Sequence, residues 1–364
     1  MTRFADLVSQ AAREMGSLPN LPDPDPNALR LDSNENPFGP SPRALEAMRS
    51  ALDSSNFYPD DDCRALRGKL AASHDLPPEQ VLVTPGSTGM LSLLCQTLLT
   101  PERNAVTSER SFIVYRMVVR AAGSHLIEVP MRADAFDLDA ILRAITPGTR
   151  LVFLPNPNNP TGTMTEAGAL DDFLAQVPDH VVVVLDEAYR EYAQPFAQQR
   201  GIEYPRALSC LARKKNVVIL RTFSKVHGLA GLRIGYGMGS ADLLGYCARI
   251  ANTYSVSSMA QAAALAALED QEHIAHAVSS NTEQAGWLST ELGKMGFRTV
   301  PTSANFVYFD VTGKAAELAE RLSANGVSVR PLAAWGAPHS IRATVGTPEQ
   351  NRRLIEALSA AKNI

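Results

Sequence analysis

The stretch NVVILRTFSKVHGLAGLRIGYG, residues 216–237, decides the fold. Val217, Val218, Ile219 and Leu220 form an unbroken apolar run of strand length, which stops at Arg221-Thr222-Phe223-Ser224-Lys225 before small residues and glycines take over. An apolar run without alternation predicts a strand buried on both faces, with Lys225 delivered to its carboxyl end. A lysine held there must be desolvated or paired, which is costly as structure but useful in a nucleophile whose pKa is lowered. Imine chemistry is the natural expectation, although a Ser-Lys pair taken alone is ordinarily a solvated loop.

Further runs of the same kind lie upstream. Leu151-Val152-Phe153-Leu154 ends in NPNNPTG, and Val181 to Leu185 ends in Asp186-Glu187-Ala188-Tyr189, with a helix expected over 165–176 between them. Short extended segments at 104–107 and 125–129 flank a helical stretch at 114–122. QVLVT leads into Gly86-Ser87-Thr88-Gly89 and then a helix, an order that aims backbone N–H groups and hydroxyls at one anion. Valine-rich runs separated by helices predict an α/β layer with a mostly parallel sheet, whose ligands gather beyond the carboxyl ends of the strands.

The flanks differ. Residues 18–42 are rich in proline, aspartate and asparagine and read as an irregular arm, followed by a helix over 42–52 behind Ser41 and a second over 61–74. A long helical region at 258–296 leads to short strands in FRTVP, NFVYFDV, VSVRPL and SIRATV, and to a closing helix opened by the capping box Thr347-Pro348-Glu349-Gln350. That pattern suits a smaller α+β domain. The expected division is an arm and helix at 1–52 joined to the small domain, a large domain at 53–260 and the remainder of the small domain at 261–364.

Composition sets outer bounds. The 364 residues allow about two domains at ~150 residues each. A 45% hydrophobic and 20% charged chain is an ordinary globular one, and a net charge of -4 argues against nucleic acid as the main partner. Cys63, Cys95, Cys210 and Cys247 match no metal or disulfide spacing, so no metal is expected. Residues 1–16 read as a short amphipathic helix rather than a signal peptide, because Asp6, Arg13 and Glu14 interrupt any apolar core. No run approaches the ~18 apolar residues of a membrane span, and a cytoplasmic location is the expectation.

Three strand ends thus offer an amide, an acid with a phenol, and an amine: Asn159, Asp186 with Tyr189, and Lys225. Together they match what pyridoxal 5'-phosphate requires. Its aldehyde needs a lysine, and its ring nitrogen must keep a proton that an ionised Asp186 would hold. Its ring hydroxyl needs donors such as Asn159 and Tyr189. Its phosphate needs N–H groups, hydroxyls and a cation, available from Gly86, Ser87, Thr88, Ser224 and Arg233.

The ordered set NENPFGPSP, YPD, NPNNPTG, DEAY, RTFSKVHGLAGLRIGY and IRATVGT, which covers nearly the whole chain from about Leu31, resembles the pyridoxal-phosphate aminotransferases of the aspartate-aminotransferase fold. The resemblance implies a seven-stranded-type sheet, with Lys225 as the covalent lysine and proton carrier. It implies Phe112 as the ring over the cofactor face, often a tyrosine in the family. It places Tyr58 on the cofactor phosphate of the neighbouring subunit, and hence implies a homodimer. Within the family the motifs are most similar to the branch acting on histidinol phosphate, which implies that amino donor and 2-oxoglutarate as substrates.

On the same resemblance Arg342 is the carboxylate-binding arginine and Arg330 the one near the substrate phosphate, with Asn36 and Tyr254 also in the substrate site. Arginine suits both tasks because its planar fork binds two oxygens at once. The chain departs from the pattern in having no tyrosine before Tyr58 and no acidic residue after the hydroxyl of GSTG; Tyr254 is a candidate substitute phenol. Three other readings compete: an aromatic amino acid aminotransferase, a decarboxylase of a phosphorylated amino acid on the same fold, and a sensing domain that retains the cofactor.

Overall fold

The structure is a computed structural model that describes residues 7–15, 28–214 and 216–362. Its strands are β1 (Leu29–Arg30), β2 (Val81–Thr84), β3 (Asn104–Ser108), β4 (His125–Val129), β5 (Thr149–Pro155), β6 (Val182–Asp186), β7 (Val217–Thr222), β8 (Gly235–Met238), β9 (Thr299–Val300), β10 (Phe306–Asp310), β11 (Val327–Ser328), β12 (Arg330–Leu332) and β13 (Ala337–Thr344). Seven of them form one sheet in the order β2-β8-β7-β6-β5-β3-β4. The chain thus has the mostly parallel α/β layer expected. Only β8 runs against its neighbours.

Both faces of this sheet are buried, for the reason the apolar runs suggest. Val183, Leu185, Val217 and Ile219 enter one core cluster, and Val184, Val218 and Leu220 enter another on the opposite face. Each such side chain contributes about 1.5–3 kcal/mol on leaving water, so the strands are held from both sides. Their polar tips are then fixed in position.

Strand β8 was not expected from the sequence, because Gly235-Tyr236-Gly237 has little to recommend it as a strand. Tertiary pairing forms it. Gly235 lies opposite Thr84 on one side and Thr222 on the other. A Cβ at Gly235 would come within 2.6 Å of the Ser87 backbone nitrogen, so only glycine lets the turn after β2 approach this closely.

The second sheet is antiparallel, in the order β12-β13-β10-β9, and packs against the helices Gln271–Lys294, Ala315–Ala324 and Pro348–Lys362. In the closing helix the Gln350 N–H donates to Thr347 Oγ1 at 3.3 Å and the Thr347 N–H to Gln350 Oε1 at 2.9 Å, which is the capping box read from the sequence. The arm is tied to this domain by β1, which pairs in parallel with β11.

Two helices expected in the small domain lie elsewhere. Pro42–Leu52 packs against Ser258–Glu269, and Ala44, Ala260, Ala263, Ala264 and Ala267 share the large-domain core with Leu66 and Leu70. Alanine faces allow that close approach. The long helical region is also two helices, broken at Asp270, whose side chain caps the second through the His273 N–H. Near the amino terminus the described helix is Gln10–Glu14; the rest of the helix expected over 1–16 lies partly outside the described residues, as does the arm at 16–27.

Candidate active site

Beyond the carboxyl ends of β5, β6 and β7 lies a pocket of about 420 Å³. Its wall includes Lys225, Asp186, Tyr189, Asn159, Ser87, Thr88, Ser224, Arg233, Phe112, Arg330 and Arg342. Residues from five separated motifs therefore meet in one place. The register explains why: Asp186 lies beside Pro155 of β5 and Leu220 of β7, so its strand tip is central.

Lys225 donates to the Ser33 carbonyl at 3.0 Å, and its ammonium lies 5.8 Å from the centre of the Tyr189 ring. Burial, reinforced by the charge of Arg342, pulls its pKa down to about 7. At neutral pH a large share of this lysine is free amine. Its surroundings thus favour the uncharged, nucleophilic form.

Asp186 is buried and forms no ion pair among the described residues. Its Oδ2 accepts from the Tyr115 hydroxyl at 2.9 Å and its Oδ1 from the Ala188 N–H at 3.2 Å. Burial raises its pKa to about 6, against the lowering effect of those two hydrogen bonds. Such a carboxylate is suited to a cationic N–H on a bound ring.

The Tyr189 hydroxyl accepts from Asn34 Nδ2 at 3.0 Å and from Asn159 Nδ2 at 3.3 Å, which leaves its own proton for another oxygen. Asn159 Oδ1 accepts from Arg342 Nη1 at 2.6 Å. Arg342 also donates through Nη2 to the Asp32 carbonyl at 2.6 Å, while its buried Nε has no partner. Burial lowers the pKa of this arginine to about 10. Arg330 forms an ion pair with Asp32 at 2.9 Å.

At the other end, the helix Gly86–Leu98 begins at Gly86 without a side-chain cap. Neither Ser87 nor Thr88 is its N-cap; both stand in the first turn and line the pocket. A Cβ on Gly86, whose φ is +70°, would fall 2.7 Å from Arg233 Nη2, so the bare backbone is what admits the guanidinium. Arg233 Nη1 reaches Ser224 Oγ at 3.5 Å. Helix N–H groups, hydroxyls and a cation thus converge in an arrangement able to hold a phosphate.

Three sequence candidates are not brought here. Asn36 spends its amide on the Val226 carbonyl at 2.8 Å and the Phe38 N–H at 3.0 Å, and Asn34 faces the pocket instead. Tyr58 is 81% exposed and stacks on Tyr254 with ring centres 4.5 Å apart; neither ring lines the pocket within this chain. Besides Asn34, three wall residues escaped the sequence reading. Tyr115 sits at helical spacing as an ordinary core residue would, Asp32 lies in the irregular arm, and Trp335, whose buried Nε1 is also unpartnered, ends the short 3-10 helix Ala333–Trp335.

The family model for aminotransferase class I and II matches residues 26–358. The chain belongs to the class I and II aminotransferases. It is 42% identical over 352 residues to histidinol-phosphate aminotransferase 2 of Pseudomonas fluorescens, covering 96% of this chain and 92% of that protein. It is 42% identical over 351 residues to histidinol-phosphate aminotransferase of Methylobacillus flagellatus, with the same shares. Among solved structures, histidinol-phosphate aminotransferase of Sinorhizobium meliloti in complex with pyridoxal-5'-phosphate matches with a TM-score of 0.84 at 29% identity, covering 92% of this chain and 91% of that one. Aspartate aminotransferase of Thermus thermophilus with maleate matches with a TM-score of 0.81 at 25% identity, covering 92% of each.

This aminotransferase therefore works with pyridoxal phosphate, and its residues fit that group: an uncapped helix start beside a cation, a buried acid that forms no ion pair, and an amine with a lowered pKa. Among the described residues no cluster of histidine, cysteine and acidic side chains could hold a metal ion, and no helix is long and apolar enough to cross a membrane.

Proposed function

We propose that this aminotransferase moves the amino group of L-histidinol phosphate to 2-oxoglutarate, forming imidazole acetol phosphate and L-glutamate in histidine biosynthesis. The observation that carries this reading is the pair of arginines, Arg330 and Arg342, that meet at one carbonyl, Asp32, in the wall holding Lys225 and Asp186. Two forks side by side suit one substrate with a phosphate and another with carboxylates. The names of the 42% identical relatives support the same substrate.

When bound, the cofactor supplies an electron sink that makes the proton on the substrate's amine-bearing carbon removable. Lys225 would anchor the cofactor and, as a free amine, carry that proton. Asp186 would keep the ring nitrogen protonated, and Tyr189 with Asn159 would hold the ring oxygen. Gly86, Ser87, Thr88, Ser224 and Arg233 would hold the phosphate, while Phe112 would cover the ring. Arg342 takes the carboxylate of glutamate or 2-oxoglutarate, and Arg330 the phosphate of the donor.

The working form is a homodimer in the cytoplasm. Tyr58 and Tyr254, with Phe57, Leu52, Tyr246 and Ile250 also exposed, offer an apolar surface through which Tyr58 reaches the partner's cofactor phosphate. All four cysteines are free and buried, as in proteins of reducing compartments. The test is glutamate formation by the purified yellow protein from 2-oxoglutarate with either histidinol phosphate or phenylalanine. Turnover at least about tenfold faster with histidinol phosphate supports the reading; a preference for phenylalanine makes the chain an aromatic aminotransferase.

A further inference from the structure

A transaminase site receives two substrates in turn, and on the reading above only one of them carries a phosphate. A guanidinium placed for that dianion meets at most a single carboxylate charge in the other half of the cycle. Partly buried, it would pay for the missing charge in stability. The structure shows how this chain meets the difficulty.

Arg330 Nη2 lies 2.9 Å from Asp32 Oδ2, and Asp32 is its one acidic partner among the described residues. Its Nε donates at 3.3 Å to the Asp32 carbonyl, the same oxygen that Arg342 Nη2 holds at 2.6 Å. Asp32 Oδ1 accepts from the Ser33 hydroxyl at 3.2 Å. The two side chains are 26% and 20% exposed, so the carboxylate can be hydrated if its arginine leaves.

We propose that Asp32 is an internal stand-in for the distal anion of the substrate, holding Arg330 when the occupant of the pocket brings no phosphate and surrendering it when one arrives. This rests on Arg330 being the arginine that meets the donor's phosphate. The exchange involves only the carboxylate. The Asp32 carbonyl keeps its bonds to Arg330 and Arg342, so the fork stays near its place while Nη2 changes partner. A phosphate dianion outcompetes a single carboxylate charge.

Asp32 is thus a positioning residue that acts through Arg330. As a competitor within the chain it weakens every phosphate that uses Arg330, and it spares donors with neutral side chains an orphaned guanidinium. Its effect is to narrow the preference for phosphorylated donors so that one pocket serves both halves of the cycle. Removing its charge has opposite consequences for the two kinds of ligand. A merely structural role would weaken both.

The experiment compares wild-type, Asp32→Asn and Arg330→Met holoenzymes, with Asp32→Ser as a second removal of the charge. Inorganic phosphate is titrated into each by calorimetry, and kcat/KM is measured for histidinol phosphate and for histidinol. Both Asp32 variants are expected to bind phosphate about fivefold more tightly, as loss of a partly exposed ion-pair competitor implies, and to raise the preference for the phosphorylated donor. Arg330→Met is expected to weaken phosphate. Unchanged or weaker phosphate binding in both Asp32 variants, with Arg330→Met still impaired, overturns the stand-in and leaves the role of Arg330 intact. Phosphate binding unaffected by Arg330→Met overturns both, while the glutamate assay with histidinol phosphate separately decides the reaction.

Discussion

Strand β6 runs into two acids one residue apart, and their surroundings could hardly differ more. Glu187 accepts from Arg221 Nε at 2.9 Å and Nη2 at 2.8 Å, and both side chains are almost fully buried. Arg221 in turn lies 3.3 Å from His74 Nε2, and burial together with the Arg221 charge drives the pKa of that histidine down to about 4. Asp186, equally buried, meets only a tyrosine hydroxyl and a backbone N–H. Arginines divide in the same way: Arg221 is matched, whereas Arg342 is buried with no carboxylate and an idle Nε. The difference is who supplies the countercharge. Where the protein does, the cluster holds the fold together; where a ligand must, the cluster is the site.

Charge-removing substitutions should separate the two acids. Asp186→Asn is expected to lower kcat by on the order of 10²–10³-fold, as loss of the group that fixes charge on the reacting system implies, with the melting temperature little changed. Steady-state kinetics with thermal unfolding checks this; a fall in stability without a fall in kcat would erase the contrast. Glu187→Gln should do the reverse. It leaves the Arg221 charge buried and unpaired, at a cost of about 3 kcal/mol, visible in denaturant unfolding, while the folded fraction keeps its turnover.

A smaller effect sharpens the comparison through pH. With the Lys225 pKa near 7, the amine fraction falls as pH drops below 7, so capture of pyridoxal phosphate by the apoprotein should slow about tenfold per unit there and level off above. Absorbance of the bound cofactor follows it. Stability carries the matching sign. Between about 7 and the ordinary lysine value of 10.5 the unfolded chain holds a proton that the native protein has shed, so this group's contribution rises with pH across that window.

Much of this was legible in the sequence, for physical reasons. Val217 to Leu220 and Val181 to Leu185 read as doubly buried strands because they lack alternation, and the polar residues that stop them had to face a cleft. Lys225, Asp186, Asn159 and Arg233 stand out in the sequence because the chemistry of one cofactor asks for each type, and all four line the same pocket. Strand β8 was hidden because its glycines serve a close backbone approach rather than strand propensity. Tyr115 was hidden because a buried tyrosine on a helix gives no sign of the acid it will meet. Asp32 and Asn34 were hidden because an irregular arm has no period from which to infer facing. The helix Pro42–Leu52 was misassigned because an alanine-lined contact looks the same whichever domain supplies the other half.

The central claim is that Lys225 is the amine that grips the cofactor's aldehyde while Asp186 holds the far side of the same ring. Borohydride reduction of the yellow protein, followed by peptide mapping, tests it most directly. The account predicts a single pyridoxyl-labelled peptide modified at Lys225, with the label absent from Lys225→Ala. A label on another lysine of the wild-type protein, or none at all, would contradict it.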